Sequence, residues 1–219
     1  MRTEEQNQRI KTGVHLQADG NIRHDYELIA SMCDDNIKLL DIACGDGDLL
    51  AYLESQHDIS GQGIEISRDG VKNALSKGLS VIQGDADNDL DDMPDKAFDY
   101  AVLSQSVQAL YRPRHVLEQM GRISKKQIVS FPNFGHWKVR WYLSTRGRMP
   151  VNPTLPWEWY NTPNIHFCTI KDFVILCGQL GFTIEQGYAL NRHSKTKDIT
   201  RSIGAANWQA EHAIFKLVS

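Results

Sequence analysis

A chain of 219 residues with 23% charged residues and a formal net charge of −3 is long for one minimal domain and short for two, so one α/β domain with an insertion is expected. That balance excludes a nucleic-acid binder held by general electrostatics, and no apolar run approaches the ~20 residues needed to cross a bilayer. The polar N-terminus has no signal-peptide core, pointing to the cytoplasm, and Cys33, Cys44, Cys168 and Cys177 are too scattered for a disulfide framework or a metal site.

Residues 1–20 are polar and aperiodic and read as a flexible arm ahead of a domain at 21–219. Tyr26, Leu28, Ile29 and Met32 recur at helical spacing, giving a helix that either covers a ligand or packs on the sheet edge. The rest of the chain is organised around the stretch from Lys38 to Asp48. A short apolar run ends in Asp41 and breaks into closely spaced glycines, as a buried strand does where it turns sharply into a helix, here over about Asp48 to Gln56. Gly45 and Gly47 remove side chains that would keep a ligand off the backbone, and the helix start presents free N–H groups.

Asp41 and Leu50 decide the ligand class. A dinucleotide fingerprint needs a third glycine where Leu50 stands, and a carboxylate at Asp41 repels a pyrophosphate but attracts an amine or sulfonium cation. An NAD-dependent oxidoreductase is disfavoured on both counts. The pattern Asp41-x-Ala43-x-Gly45-x-Gly47 resembles the first motif of class I S-adenosylmethionine-dependent methyltransferases, with Ala43 in place of the usual first glycine.

Further strands are expected at Gly61–Ile66, Val81–Asp85, Ala97–Leu103 and Gln127–Phe131, with a helix at Pro113–Ile123 that starts on its proline. Glu65 lies at the distance from the glycine turn where an acid accepts ribose hydroxyls, and Asp85 resembles the acid that such methyltransferases set beside the adenine amino group. Capping acids would look the same. Ser104 and Gln105 close the fourth strand and are candidates for the cofactor's amino-acid end or for substrate; Ser104 could equally cap the next helix. With the neighbouring Cys44, Ile66 and Ala86, the resemblance implies a cofactor set of Asp41, Ala43, Cys44, Gly45, Gly47, Glu65, Ile66, Asp85, Ala86, Ser104 and Gln105. The acidic stretch Asp87–Asp95 reads as a solvated loop.

A helix over Lys171–Gly181 and strands at Phe182–Leu190 and Ala210–Val218, joined by a polar loop with Arg192, His193, Lys195, Lys197 and Arg201, finish the pattern. The expected fold is a doubly wound, mostly parallel, seven-stranded sheet of the class I methyltransferase (Rossmann-like) type, with an aromatic-rich insertion at about 132–169 after the fifth strand. Four of the five tryptophans lie in that insertion, where Trp137 and Trp141 share one side of a helix with Val139 and Leu143 nearly opposite. Such a segment is either wedged under a cap or offered to a partner protein.

Phe131–Trp137, Gly147–Val151 and Leu155–Phe173 are similar to the signature segments of the methionine-biosynthesis MetW family, over about Asp25 to Gly181. Trp157 stands where a tyrosine is usual and Asn161 where an aspartate is usual. The resemblance implies binding of S-adenosylmethionine or S-adenosylhomocysteine and a role beside homoserine O-acetyltransferase (MetX), which the family is thought to bind and activate; a homo-oligomer stays open. The chain holds no Gly-x-Ser-x-Gly, so it is not itself the acyl-transfer enzyme. The alternative is an active small-molecule methyltransferase, for which His136, His166, Glu158 and Tyr160 are the titratable groups a lid would bring to the methyl group, none with a partner that marks it as a base.

Overall fold

The computed structural model describes residues 24–152, 155–191, 194–200 and 202–219; the expected arm, and Arg192, His193 and Arg201 of the expected polar loop, lie outside them. Helix α1 (His24–Met32) leads into β1 (Ile37–Ile42), α2 (Asp48–Gln56), β2 (Ile59–Glu65), α3 (Arg68–Ser76) and β3 (Val81–Gln83). A 3-10 turn at Asp89–Asp92 precedes β4 (Phe98–Ser104), and a second at Val107–Ala109 precedes α4 (Pro113–Ile123) and β5 (Ser124–Pro132). Then come α5 (Trp137–Arg146), α6 (Ile170–Gln179), β6 (Thr183–Asn191), β7 (Ser194–Asp198), α7 (Ile203–Gln209) and β8 (His212–Val218).

The strands form one sheet in the order β3-β2-β1-β4-β5-β8-β6-β7. The first five pair in parallel, because each is reached by a crossover, while β8 runs antiparallel to both β5 and β6. Successive side chains alternate between faces. Leu40, Ile42, Leu103 and Val129 join the cluster of Val116, Met120 and Phe173 from α4 and α6. Leu39, Val102 and Ile128 join that of Ile29, Leu50 and Leu53 from α1 and α2. Burying one such side chain contributes about 1.5–3 kcal/mol, so the middle strands can be apolar nearly throughout.

Two expectations are corrected. The sheet has eight strands, since the polar stretch before the last strand contains β7, paired with β6 through Tyr188↔Asp198 and Ala189↔Lys197, and the short helix α7. As an edge strand β7 is held through its backbone and needs no apolar alternation, which hid it from a reading by pattern. The acidic stretch is not simply a solvated loop either: Asp87 and Leu90 are buried, and Arg122 donates to the carbonyls of Leu90 and Met93 at 2.9 and 2.6 Å. Polar composition concealed a turn that packs.

Candidate functional site

In an open parallel sheet ligands sit at the carboxyl ends of the strands, where the crossovers change direction. Here that point lies between β1 and β4, and a cavity of about 350 Å³ opens there. Ten of the eleven residues expected to hold a cofactor line it: Asp41, Ala43, Cys44, Gly45, Glu65, Ile66, Asp85, Ala86, Ser104 and Gln105. Gly47 does not. It adopts φ +75°, and a Cβ on it would meet Leu79 Cδ1 at 2.4 Å and Ala74 Cβ at 3.0 Å, so its lack of a side chain lets the turn pack on α3 rather than admitting a ligand. Ala43 takes φ +55° at the position where the resemblance expects glycine. A left-handed alanine costs on the order of 1 kcal/mol, which this turn tolerates.

Glu65 and Asp85 are held by backbone amides. Glu65 is 7% exposed, and its two oxygens accept from the Gly45 and Ser67 N–H groups at 2.9 and 2.8 Å, tying the glycine turn to the end of β2. Asp85 accepts from the Asp87 N–H at 3.0 Å and from the Asn88 side-chain amide at 2.6 Å, so it both caps a turn and lines the cavity. Asp41, 2% exposed, sits in register with Gly63 and Val102 on the adjacent strands. Burial, reinforced by the charges of Asp41 and Glu65, pushes the Cys44 thiol far above its usual range, leaving it neutral and unreactive.

On the opposite wall Gln105 adopts φ +54°, with its N–H donating to the Ser130 carbonyl and hydroxyl at 2.9 and 3.0 Å. Ser104 Oγ lies 3.2 Å from Ser130 Oγ and caps no helix. Its place is on the cavity wall. The sequence reading missed Asp87, whose carboxylate accepts from the Tyr111 and Arg112 N–H groups at 2.9 and 2.7 Å and so fixes the loop that brings Tyr111 over the cavity. The signal available was its position two residues after Asp85. Tyr26 of α1 also lines the cavity, while Ile29 and Met32 pack with Leu39, Val102 and Ile128 of the central strands rather than on the sheet edge.

None of His136, His166, Glu158 and Tyr160 lines this cavity. His136 is buried beside Trp137, and burial lowers its pKa; the other three are exposed. Among the described residues, no group of three metal-ligating side chains is arranged around an ion, and no helix is long and apolar enough to cross a membrane.

The insertion stands apart in character. Val139 is the one buried residue of α5, while Trp141 is 67% exposed and Tyr142 and Leu143 are exposed too. Elsewhere in the insertion Trp159, Tyr160 and Phe167 are exposed as well. From Trp137 to Trp157 the chain carries Lys138, Arg140, Arg146 and Arg148 and no acid. Asn133 anchors the start of the insertion, donating to the Asn207 and Ala210 carbonyls at 3.1 and 2.9 Å, and the Phe134 N–H closes its base by donating to the Cys168 carbonyl at 3.1 Å.

This sheet, with its cavity at the switch point, is that of the class I methyltransferase fold. It superposes on an S-adenosylmethionine-dependent methyltransferase of Thermotoga maritima, described as a possible histamine N-methyltransferase, with a TM-score of 0.64 at 17% identity, over 88% of this chain and 86% of that one. A second such methyltransferase, from Mesorhizobium loti, gives 0.65 at 13% identity over 89% and 97%. At those identities the likeness is one of fold. The chain itself belongs to the family of the methionine biosynthesis protein MetW, whose model matches residues 23–217 and so reaches well past the Gly181 limit of the resemblance read from sequence. A relative from Rhodopirellula baltica, the bifunctional methionine biosynthesis protein MetXA/MetW, is 32% identical over an alignment of 180 residues that covers 78% of this chain. The match spans 29% of that relative's length.

Proposed function

We propose that this methionine-biosynthesis protein binds S-adenosylmethionine or S-adenosylhomocysteine in the cavity at the glycine turn and acts in the cytoplasm on homoserine O-acetyltransferase (MetX), raising its activity through the exposed insertion. The observation that carries the ligand half is the convergence of buried Asp41 and Glu65 and half-buried Asp85 at the ends of β1, β2 and just beyond β3 in a cavity of about 350 Å³, within the size range of small-molecule sites. The residues fit such a ligand. Asp41 offers a negative charge to a cation, and Glu65 keeps an acceptor site on each oxygen for ribose hydroxyls beyond the backbone donor it already holds. In this reading Asp85 would accept from an exocyclic amine, and Ser104 and Gln105 would meet the amino-acid end. When bound, S-adenosylmethionine supplies a sulfonium with a transferable methyl group.

The partner half is supported by the R. baltica relative, whose name joins MetXA and MetW in one chain. It is supported also by exposed aromatics among cations, which favour a partner face that is apolar at its centre and acidic at its rim. Calorimetric titration with S-adenosylmethionine, S-adenosylhomocysteine and NAD tests the ligand half: the first two bind and NAD does not, whereas NAD binding alone overturns it. Addition of the purified protein to homoserine O-acetyltransferase raises acetyl transfer; no change in rate overturns the partner half.

Methyl transfer to a small acceptor is the second reading, favoured by Tyr111, which lines the cavity yet is 81% exposed and so marks a side open to an acceptor. Cofactor turnover with a candidate acceptor would support it; no turnover with any acceptor removes it.

A further inference from the structure

The loop from Gln105 to Arg112 belongs to two structures at once. On one side Gln105, Ser106, Ala109, Leu110 and Tyr111 line the cavity. On the other, the Gln108 carbonyl accepts from the N–H groups of Ile165 and His166 in the insertion, at 2.9 and 3.0 Å. The Gln108 side chain joins the two sides, since its Nε2 donates to the Gln105 carbonyl at 2.6 Å. Gln108 is 5% exposed, and its Oε1 receives no hydrogen bond among the described residues. A buried amide left half satisfied, next to a glutamine held at φ +54°, marks a joint that the surrounding structure constrains rather than one at rest.

Beyond His166 the path reaches the aromatic surface directly. Phe167 packs edge-on against Phe134 with ring centroids 4.9 Å apart, and Phe134 lies three residues before α5 begins. A second strut runs from Gln105 through Ser130 along β5 to Asn133, the anchor of the insertion.

We infer that occupancy of the cavity is transmitted to the insertion through this loop, with Gln108 as the joint, so that ligand and protein partner bind with positive coupling. This rests on the reading given under Proposed function. A ligand that contacts Ser104 to Ser106 fixes Gln105, which through Gln108 fixes the carbonyl that Ile165 and His166 need. The ordering cost is then met once for both binding events, and the coupling is reciprocal.

The test uses the full chain, S-adenosylhomocysteine as the probe, and a Gln108→Leu variant that keeps the shape and the main-chain carbonyl but removes the Nε2 donor. Hydrogen exchange at the Ile165 and His166 amides slows when S-adenosylhomocysteine saturates the wild-type protein, and does not slow in Gln108→Leu, which still binds the ligand. Saturating homoserine O-acetyltransferase lowers the ligand Kd of the wild type by about 5-fold or more, the lower end of typical coupling, and leaves that of Gln108→Leu unchanged. Ligand binding that leaves both amides as they were overturns the inference, as does equal slowing in the variant or a Kd indifferent to the partner that binds. If S-adenosylhomocysteine does not bind at all, the ligand reading falls and the inference with it. If only the acetyltransferase fails to bind, the partner reading falls while the amide measurement still decides whether the joint transmits.

Discussion

Around the cavity, buried acids are matched to backbone donors, Glu65 to Gly45 and Ser67 and Asp87 to Tyr111 and Arg112, while along α5 only Val139 is buried and the indole of Trp141 stands in solvent. The first region is complete in terms of its own chain, and its residue choices follow from the fold and fit the proposed cationic ligand. The second leaves large apolar side chains in solvent, as the proposed docking of a partner requires. The difference teaches that folding accounts for the first region and leaves the exposed side chains of the second to another demand, and it can be broken or sharpened by substitution.

The largest effect is expected at the glycine turn. Gly47→Ala puts a methyl group against Leu79 and strains a residue at φ +75°, so overpacking and left-handed strain together destabilise by about 3 kcal/mol. Trp141→Ala removes a whole indole from the insertion and shifts stability by less than about 0.5 kcal/mol, as exposed positions do. Urea unfolding of the two variants checks the pair, and a Trp141→Ala loss as large as that of Gly47→Ala would erase the contrast. Asp41→Asn tests the charge in the cavity: losing a charged acceptor costs about 1.5–3 kcal/mol, or roughly 10- to 100-fold in the Kd for S-adenosylmethionine by calorimetry. The loss is smaller for S-adenosylhomocysteine, which lacks the sulfonium charge.

A smaller effect is expected where the insertion joins the domain. Burial holds the pKa of His136 below its ordinary value of 6.5, so the unfolded chain takes up the proton first as pH falls. Its neutral form is fully compatible with the fold above that value, and stability declines as pH falls through it. His136→Asn therefore narrows the drop in Tm between pH 7.5 and pH 5.5, and an unchanged drop would show that His136 titrates alike in both states. A small gain is expected at Ala43, where glycine relieves the strain at φ +55° but adds entropy to the unfolded chain, for a net gain of about 0.5 kcal/mol in thermal unfolding.

Much of the cavity was legible because its signals are local. An apolar run ending in Asp41 and followed by Gly45 and Gly47 fixes a strand, a turn and a helix within a few residues, and α2 begins and ends where that reading set it. Strand ends then place Glu65 and Asp85. The role of Gly47 was misread because the atoms that forbid a side chain there, Leu79 and Ala74, lie far along the chain. Asp87 was hidden in an acidic run whose composition suggests solvent, since nothing local says that Tyr111 and Arg112 will come to it. Strand β7 escaped for the converse reason, as an edge strand whose pairing depends on the backbone. In the insertion the aromatic content was plain, but that α5 would bury one residue and expose the rest is decided by tertiary packing.

The measurement that tests the account most directly is the rate of homoserine O-acetyltransferase titrated with this protein and with its Trp141→Ala/Leu143→Ala variant, each first shown to have the same Tm and the same affinity for S-adenosylhomocysteine. The account predicts that the wild type raises the rate to a saturating level and that the variant, intact in fold and cavity, leaves it unchanged. Equal activation by the two proteins, or none by the wild type, would contradict it.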